Sequence, residues 1–341
     1  MNIQVLTPRE VPLGGPRAMT VRRTLPSKDR SFVGAWCFVD HYGPDDVSRT
    51  GGMDVPPHPH TGLQTVSWLF EGEIEHRDSG GVHAMVRPGE LNLMTAGRGI
   101  SHSEVSTPAT RVLHGLQLWV ALPEPERDAA RDFQHHVPDL VTVPGASARV
   151  FVGSLPGLDG AASPVRTATP LLGAEILLEP GTAWELATQE SFEHAILVDR
   201  GNVTIDGQPV ARGELGVRDA GADRMVLAHP ASCGPDGGVP ARVVLLGGEP
   251  FEEAIVMWWN FVGRTHEDIV QYRAQWQAQD ERFGRVEGYE GSEGHVSRLG
   301  APELPHVRLR PRGRMGMSNR LADVSRSHGG EHDRGVRAHR K

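Results

Sequence analysis

Short apolar runs separated by polar turns make up the pattern along the first third of the chain. The breaks between them are rich in Gly, Pro and Asp, residues that favour the dihedral angles of tight turns. Short strands at such regular spacing predict an antiparallel β-sandwich or barrel. The predicted strands cover residues 32–39, 60–70, 74–77, 82–86, 91–95, 99–105 and 112–121.

The same pattern returns after a polar, Pro-containing connector at 123–138. A predicted hairpin at 195–205 has a charged, Gly-containing turn and parallels an earlier hairpin at 66–74. We interpret this parallel as an internal repeat of one β-domain. The predicted fold class is therefore all-β, with two tandem β-barrel or sandwich domains at 1–135 and 136–288.

One helix is predicted after the second set of strands, at about 265–280. The run Thr265-His266-Glu267-Asp268 resembles a capping box, with Thr265 as the N-cap. Ile269, Tyr272 and Trp276 follow at the spacing of one apolar helix face. We expect this helix to pack on the outside of the β-body.

Charge is distributed unevenly along the chain. The whole chain carries a formal net charge of −8, whereas ten Lys/Arg and four Asp/Glu give residues 303–341 a net charge of +6 and leave about −14 on residues 1–302. An acidic body argues against direct binding of nucleic acid. Residues 289–341 read as a tail, and their loss of large apolar side chains predicts disorder from about residue 313.

The length, the cysteines and the hydropathy bound the class of protein. A chain of 341 residues suits two domains, and 41 Gly and 26 Pro suit a turn-rich β-protein. Cys37 and Cys233 form no CxxC pair, so we expect no disulfide and a reducing cytoplasm. No apolar stretch approaches eighteen residues and no signal peptide is evident, which predicts a soluble intracellular protein without membrane contact.

Candidate chemistry lies in two short motifs, His58-Pro59-His60 and His102-Ser103-Glu104. Residues i and i+2 of a strand share one face, so each motif can aim two side chains at one point. Three imidazoles and one carboxylate can then converge on a metal ion and leave two positions of an octahedron for water, substrate or O₂.

A polar loop in a chain with 17 His is the alternative interpretation of the first motif alone. The second motif, and the Gly-rich bend at 96–99 before it, favour the metal site. Fe(II), Mn(II), Ni(II) and Co(II) all suit these ligands, and Zn(II) could bind the same set. The ligand types do not select one metal among them.

Longer strings around the two motifs resemble a known family. The stretches 52–60 and 81–102 resemble the two cupin motifs. More specifically, residues 58–66 (HPHTGLQTV) and 94–104 (MTAGRGISHSE) resemble the pirin family, and residues 116–120 continue the similarity.

The resemblance extends over roughly residues 15–285 and carries several implications. It implies a bicupin, with one mononuclear metal centre, usually iron, in the N-terminal cupin and none in the C-terminal one. It also implies that some bacterial relatives open the flavonol ring of quercetin with O₂, whereas others are non-catalytic or redox-responsive regulators acting through protein partners. The metal ligands carried over are His58, His60, His102 and Glu104.

Gln64 marks a departure from the cupin pattern. Many cupins place a metal-binding Glu four residues after the second His, where this chain has Gln64. An amide is a poor ligand, so Glu104 has to supply the carboxylate, as in the pirins. Gln64 shares strand parity with His58 and His60, which predicts a polar donor beside the ligands; an ordinary polar strand residue is the alternative.

Other candidates have weaker support. The remaining strand histidines lack a matching partner and read as surface or hydrogen-bonded core residues, and Asp40 and His41 could border the mouth of a pocket. Aromatic strand residues read as core, although one or two could line a cavity for an aromatic ligand. The histidines are His41, His76, His83 and His114, and the aromatic residues are Phe38, Trp68 and Trp119.

Two functions remain open from the sequence. The first is a dioxygenase that acts on a flavonol or related enolic aromatic compound and O₂, with Glu104 as the candidate base. The second is a metal-binding regulator that acts through a protein partner; without a DNA-binding motif, any effect on transcription would be indirect. The dioxygenase is the function that makes chemical use of free coordination positions on the metal.

Overall fold

The computed structural model describes residues 2–13, 19–231, 238–291 and 296–315. The strands of this described part are β1 (Gln4–Leu6), β2 (Arg9–Leu13), β3 (Met19–Leu25), β4 (Trp36–Asp46), β5 (Asp54–His60), β6 (Leu63–Glu71), β7 (Ile74–Asp78), β8 (His83–Val86), β9 (Leu91–Thr95), β10 (Ile100–Ser106), β11 (Val112–Ala121), β12 (Asp132–His136), β13 (Val141–Val143), β14 (Ala146–Val152), β15 (Leu171–Leu178), β16 (Thr182–Ala187), β17 (Glu193–Arg200), β18 (Val203–Ile205), β19 (Gln208–Val210), β20 (Leu215–Arg218), β21 (Arg224–His229), β22 (Ala241–Gly248), β23 (Val256–Trp258) and β24 (Phe261–Gly263). The helices are α1 (Val47–Thr50), a 3₁₀ turn at Glu124–Glu126 and α2 (His266–Gln277).

Two β-domains follow one another, each built from two antiparallel sheets. In the first, the sheet β12-β9-β6-β11-β4-β3-β2 packs on the sheet β5-β10-β7-β8 through apolar side chains of both. In the second, the sheet β1-β20-β17-β22-β15-β14-β13 packs in the same way on β16-β21-β18-β19. The predicted all-β fold of two tandem domains with a C-terminal helix is confirmed.

Segments near both ends of the first domain form strands outside those predicted. Strand β1 at the start of the chain pairs with β20 and so belongs to a sheet of the second domain. The predicted connector at 123–138 contains β12, an edge strand that pairs with β9 of the first domain. Both segments are short or polar, so their strand character comes from pairing with a neighbour and not from their own apolar pattern. The division near residue 135 stays a prediction.

Aromatic side chains join the two domains into one core. Trp68 of β6 stacks on Phe151 of β14 with ring centroids 4.6 Å apart, and its indole nitrogen donates to Glu175 at 3.0 Å. The Trp36 indole donates to the carbonyls of Leu172 and Gly247 at 3.2 and 3.1 Å. A buried Trp needs an acceptor for its N–H. These hydrogen bonds therefore orient the two indoles, and the rings themselves fill the space between the domains.

A buried polar cluster crosses the same interface. Asp199 of the second domain accepts from the Nε2 atoms of His41 and His114 of the first at 2.9 and 2.7 Å, and Arg242 lies 3.3 Å from its other oxygen. Burial alone would raise the pKa of Asp199, but the hydrogen bonds from His114 and His41 outweigh it and hold the pKa below its usual range. The cluster is therefore a charged link between the domains.

The helix forms as its sequence predicts. Thr265 caps α2 through a capping box with Asp268, and Ile269, Tyr272 and Trp276 are its buried face. They pack with Phe261 of β24 and with neighbouring apolar residues. The helix thus holds the β23–β24 hairpin against the first domain.

The segment after the helix returns to the first domain. The Leu299 amide donates to the carbonyl of Pro57 at 2.9 Å, and Arg312 and Met315 form backbone bridges to Ile255 and Arg30. Residues 296–315 are therefore packed along both domains. The sequence predicts disorder from about residue 313. Residues 316–341 lie outside the described part of the chain.

We expect Asp199→Asn to destabilise the protein by on the order of 3 kcal/mol, because it leaves two buried imidazoles without their carboxylate and removes one of the two carboxylates that pair with Arg242. The urea midpoint of unfolding is the measurement. Asp223→Asn is the matched control, since the Asp223 side chain is 74% exposed beside Arg224 and should change the midpoint little. Equal midpoints for the two variants would contradict the role of the cluster.

Candidate metal centre

Two neighbouring strands of the smaller sheet of the first domain bring the two His motifs together. β5 and β10 pair antiparallel, with His58 directly opposite His102. A register shift between His102 and Glu104 then sets Glu104 opposite Val55. A bulge of this kind re-aims side chains, so both members of the second motif can reach the side of the sheet that carries the His pair.

The three predicted imidazoles converge. Ligand atoms of His58, His60 and His102 all lie within 4.8 Å of one another. The Nε2 atoms of His60 and His102 are 3.1 Å apart, and the rings of His58 and His102 have centroids 4.3 Å apart. All three side chains are buried.

Backbone carbonyls fix which ring nitrogen points inward. Nδ1 of His58 lies 2.9 Å from the Pro56 carbonyl, and Nδ1 of His60 lies 3.2 Å from the Asn260 carbonyl. A carbonyl only accepts, so each Nδ1 carries the proton and each Nε2 keeps its lone pair. The same arrangement orients metal-binding His in proteins generally.

The β23–β24 hairpin supplies the second of these carbonyls. Trp259 adopts a positive φ of 53° in its turn and so directs Asn260 toward His60. The hairpin lies against Thr61 and Gly62, and a Cβ on Gly62 (φ 67°) would come within 2.4 Å of the Val262 carbonyl oxygen. Glycine is needed at this position for both reasons.

Burial keeps these imidazoles neutral. Desolvation lowers the pKa of His58 to about 4 and lowers the pKa values of His60 and His102 well below the usual value. Protons are therefore poor occupants of the space between the facing Nε2 lone pairs. A divalent cation fits the donor set, since neutral imidazole nitrogen is a favoured ligand of first-row metals.

Glu104 belongs to an adjoining group of ligand atoms. Atoms of His76, His102 and Glu104 also lie within 4.8 Å of one another, and Glu104 lines the same cavity as His58 and His60. Burial raises the pKa of Glu104, with His76 and Ser67 acting in the opposite direction. A nearby cation would favour the carboxylate form of this side chain.

His76 is the site residue that sequence reasoning ranked too low. It lies on β7 opposite Glu104, its Nδ1 is 3.4 Å from Nδ1 of His102, and its Nε2 is 3.2 Å from Asp78. The signal was present in the sequence, because His76 and Asp78 form another i, i+2 pair. That pair alone does not predict that His76 lies beside His102 and Glu104, because the contact depends on the pairing of β7 with β10.

Gln64 does not share the strand of the His pair. The predicted strand at 60–70 is wrong at its start, because β5 ends at His60, the chain bends at Thr61 and Gly62, and β6 begins at Leu63. The Gln64 amide donates to Thr95 at 3.0 Å, and its oxygen is buried without a partner in the described part of the chain. A role beside the metal ligands stays a prediction.

The bend before the second motif is as the sequence suggests. Gly97 has a φ of 50°, and a Cβ there would lie 1.9 Å from the Ala129 carbonyl oxygen. Gly99 donates to the Ala96 carbonyl at 2.9 Å and closes the turn that leads into β10.

Other candidates lie away from the His cluster. His41 and His114 belong to the interdomain link, where Arg22 and Arg242 make a metal cation unfavourable. His83 is exposed and pairs with Glu75. Asp40 forms a bidentate ion pair with Arg23, and Trp68 is buried in the hydrophobic core.

A cavity of about 370 Å³ opens onto the cluster. His58, His60 and Glu104 line it, and Phe38 and Trp119 stack at 4.0 Å in its wall. The Trp119 ring meets His60 edge-on at 5.1 Å. Its further lining includes Met257, Trp259, Leu299, Arg9 and Arg23.

Two tandem β-domains, of which the first holds a buried His cluster beneath an open cavity, define a bicupin with a candidate metal centre. Residues 18–120 match the Pirin family and residues 173–284 match the pirin C-terminal cupin domain. The chain belongs to the pirin family.

Individual relatives cover most of the chain. It is 42% identical over 305 residues to a Pseudomonas aeruginosa protein named "Putative quercetin 2,3-dioxygenase PA1205", covering 89% of this chain and 91% of that protein. A pirin-like protein of Caulobacter vibrioides is 36% identical over 76% of this chain and 88% of its own length. The crystal structure of quercetin 2,3-dioxygenase from Acinetobacter baumannii has a TM-score of 0.81 and 37% identity, covering 91% of this chain and 97% of that one.

Among the described residues, no helix has the length and apolar character needed to cross a membrane.

We expect His102→Ala to weaken metal binding by at least about a hundredfold, because removing a ligand should cost more than removing a residue that only supports one. Elemental analysis of anaerobically purified and reloaded protein is the measurement, with circular dichroism as the check on folding. His83→Ala is the control, because that side chain is exposed and distant in role. The site would be refuted if wild type held no metal, or if both variants held as much as wild type.

Proposed function

We propose that this chain is a metal-dependent dioxygenase, with Fe(II) as its metal, that opens the ring of a flavonol or related enolic aromatic compound with O₂. The observation that carries the proposal is the aromatic-walled cavity that ends on the His cluster and Glu104. The named activity of the relatives from Pseudomonas aeruginosa and Acinetobacter baumannii supports the same reaction class.

The proposed metal ligands are His58, His60, His102 and Glu104. When bound there, a divalent metal ion would lower the pKa of an enol hydroxyl on the ligand and bring the resulting anion together with O₂. His76 is the further candidate, since it adjoins both His102 and Glu104.

Glu104 can serve as the base for the enol proton. Its carboxylate lines the cavity, and burial raises its pKa, which makes it a stronger base than an exposed carboxylate. Ser67 donates to Gln117 at 2.9 Å beside it, and Gln117 also lines the cavity. These polar groups can hold the proton path in place while the apolar wall excludes water.

Phe38 and Trp119 are the proposed contact for a flat aromatic ring. Their stacked rings form a rigid wall, and Trp119 links that wall to His60. Aromatic walls bind planar ligands at low entropic cost because few rotamers are frozen. The reactive end of the ligand is thereby aimed at the His cluster.

A thiol-based redox switch has no support at Cys37. The side chain is buried, its sulfur lies 3.6 Å from the Trp119 carbonyl, and burial raises its pKa well above the usual value. Since the thiolate is the form that reacts with oxidants, Cys37 is unreactive in this fold.

We expect protein loaded anaerobically with Fe(II) to bleach the absorbance of quercetin when mixed with it in air. His58→Ala should slow the reaction by more than about a hundredfold, whereas His83→Ala should leave it unchanged. Bound iron is measured in each sample.

The alternative is a metal-binding regulator that acts through a protein partner. It would gain if wild-type protein holding one metal ion per chain left quercetin and a panel of related enols intact. That result would refute the dioxygenase proposal without touching the metal site.

A further inference from the structure

The mouth of the cavity carries an excess of positive charge. Arg9 and Arg23 both line the cavity, and apart from Glu104 its described lining contains no carboxylate. Asp40, just outside that lining, is bound to Arg23 through both oxygens at 2.6 and 2.7 Å. One carboxylate thus faces more than one guanidinium.

The strand register places these charges side by side. Arg9 of β2 lies directly opposite Arg23 of β3 in an antiparallel pair. Like charges at opposite positions destabilise a sheet, and Asp40 neutralises only one of the two. Glu10 and Arg22 alternate with them along these strands and so project from the other face.

A third guanidinium adds to the excess. Arg312 bridges to Ile255 through the backbone and lines a small neighbouring recess together with Pro26 and Met257, two residues that also line the main cavity. Burial lowers the pKa of Arg9, followed by repulsion from Arg23 and, more weakly, from Arg312, against attraction to Asp40. Arg9 is therefore repelled by two other guanidiniums and attracted by one carboxylate.

Arg9 has donors to spare. In the described part of the chain its guanidinium makes one hydrogen bond, from Nη1 to the Pro26 carbonyl at 2.7 Å, and no ion pair. Arg carries five N–H donors, so an anionic group entering the mouth would meet several unused ones. Arg23, in contrast, commits two donors to Asp40 and lies 4.1 Å above the Phe38 ring.

The wall connects this charge to the His cluster without a break. Arg23 covers Phe38, Phe38 stacks on Trp119, and Trp119 meets His60. A ligand lying along the wall therefore has a cation at one end and the metal-binding imidazoles at the other. The cavity volume of about 370 Å³ is near the lower end for small-molecule sites, which suits a compact ring system.

We propose that the ligand of this cavity is a flat aromatic acid whose phenol or enol hydroxyl lies at the His cluster and whose carboxylate, at the opposite end, binds Arg9. This inference rests on the proposed function for its reactive end, but the carboxylate site depends on Arg9 alone. Neutral polyphenols would then bind as weaker analogues.

A matched pair of fluorescent probes tests the charge requirement. 6-Hydroxy-2-naphthoate has a hydroxyl and a carboxylate at opposite ends of a flat bicycle, and 6-hydroxy-2-naphthamide differs from it in charge. Titration into protein loaded with redox-inert Zn(II), and into metal-free protein, gives Kd for each without catalysis. We expect the acid to bind at least about tenfold more tightly than the amide at low salt.

Three variants locate the preference. Arg9→Gln should reduce the preference for the acid about tenfold and change the Kd of the amide little, because it removes a charge at an exposed position. Arg9→Lys should retain most of it. Arg224→Gln is the control, since Arg224 is an exposed residue of the second domain paired with Glu185. Arg23 is left intact, because its loss would strand the buried Asp40.

The outcomes separate the two proposals. Equal affinity of wild type for acid and amide, equal weakening of both by Arg9→Gln, or binding of neither probe would overturn the carboxylate site. A preference for the acid that depends on Arg9, in a protein that leaves quercetin and acidic enols unoxidised when loaded with Fe(II), would uphold the site and refute the dioxygenase.

Discussion

Facing lone pairs in a dry space are the constraint on which the site depends. The Nε2 atoms of His60 and His102 lie 3.1 Å apart, and burial disfavours a second proton on either ring. A divalent cation among the rings would accept the inward lone pairs of His58 and His60. The carbonyls of Pro56 and Asn260 hold His58 and His60 in the tautomers that keep the lone pairs inward. A metal ion would therefore contribute to stability as well as to chemistry.

The chain that follows the second β-domain completes the site although the predicted ligands all come from the first. It supplies Asn260 to His60, and Met257, Trp259 and Leu299 to the cavity wall. These residues are held by the α2 face and by the bond from Leu299 to Pro57, next to the first ligand. The interdomain packing and the Asp199 link thus act on the cavity, because a shift between domains would move one wall against the other.

The sequence predicts the parts of this site that obey a two-residue period on one strand. His58 with His60, and His102 with Glu104, could be found in that way, and the capping box of α2 could be found from its three-residue spacing. Features that depend on pairing between strands could not: the contact of His76 with His102 and Glu104 is made through β10, and Arg9 meets Arg23 only through the register of β2 and β3. Gln64 shows the opposite error, since a bend at Gly62 breaks a period that looks continuous in the sequence. Register and bends are set by tertiary packing, which a single sequence does not reveal.

Charge acts at two ranges around this cavity. Residues 1–302 carry about −14 in total, so the outer surface repels anions, whereas Arg9 and Arg23 at the mouth and Arg312 in the adjoining recess leave a local excess of positive charge. Screening limits each field to about 8 Å at physiological salt, and the mouth is therefore felt only by a ligand that already lies against it. The positive charge at the mouth therefore affects the association rate less than it affects the selectivity among ligands. An anion bound beside the opposed arginines of β2 and β3 would relieve their repulsion, which would couple binding to local stability.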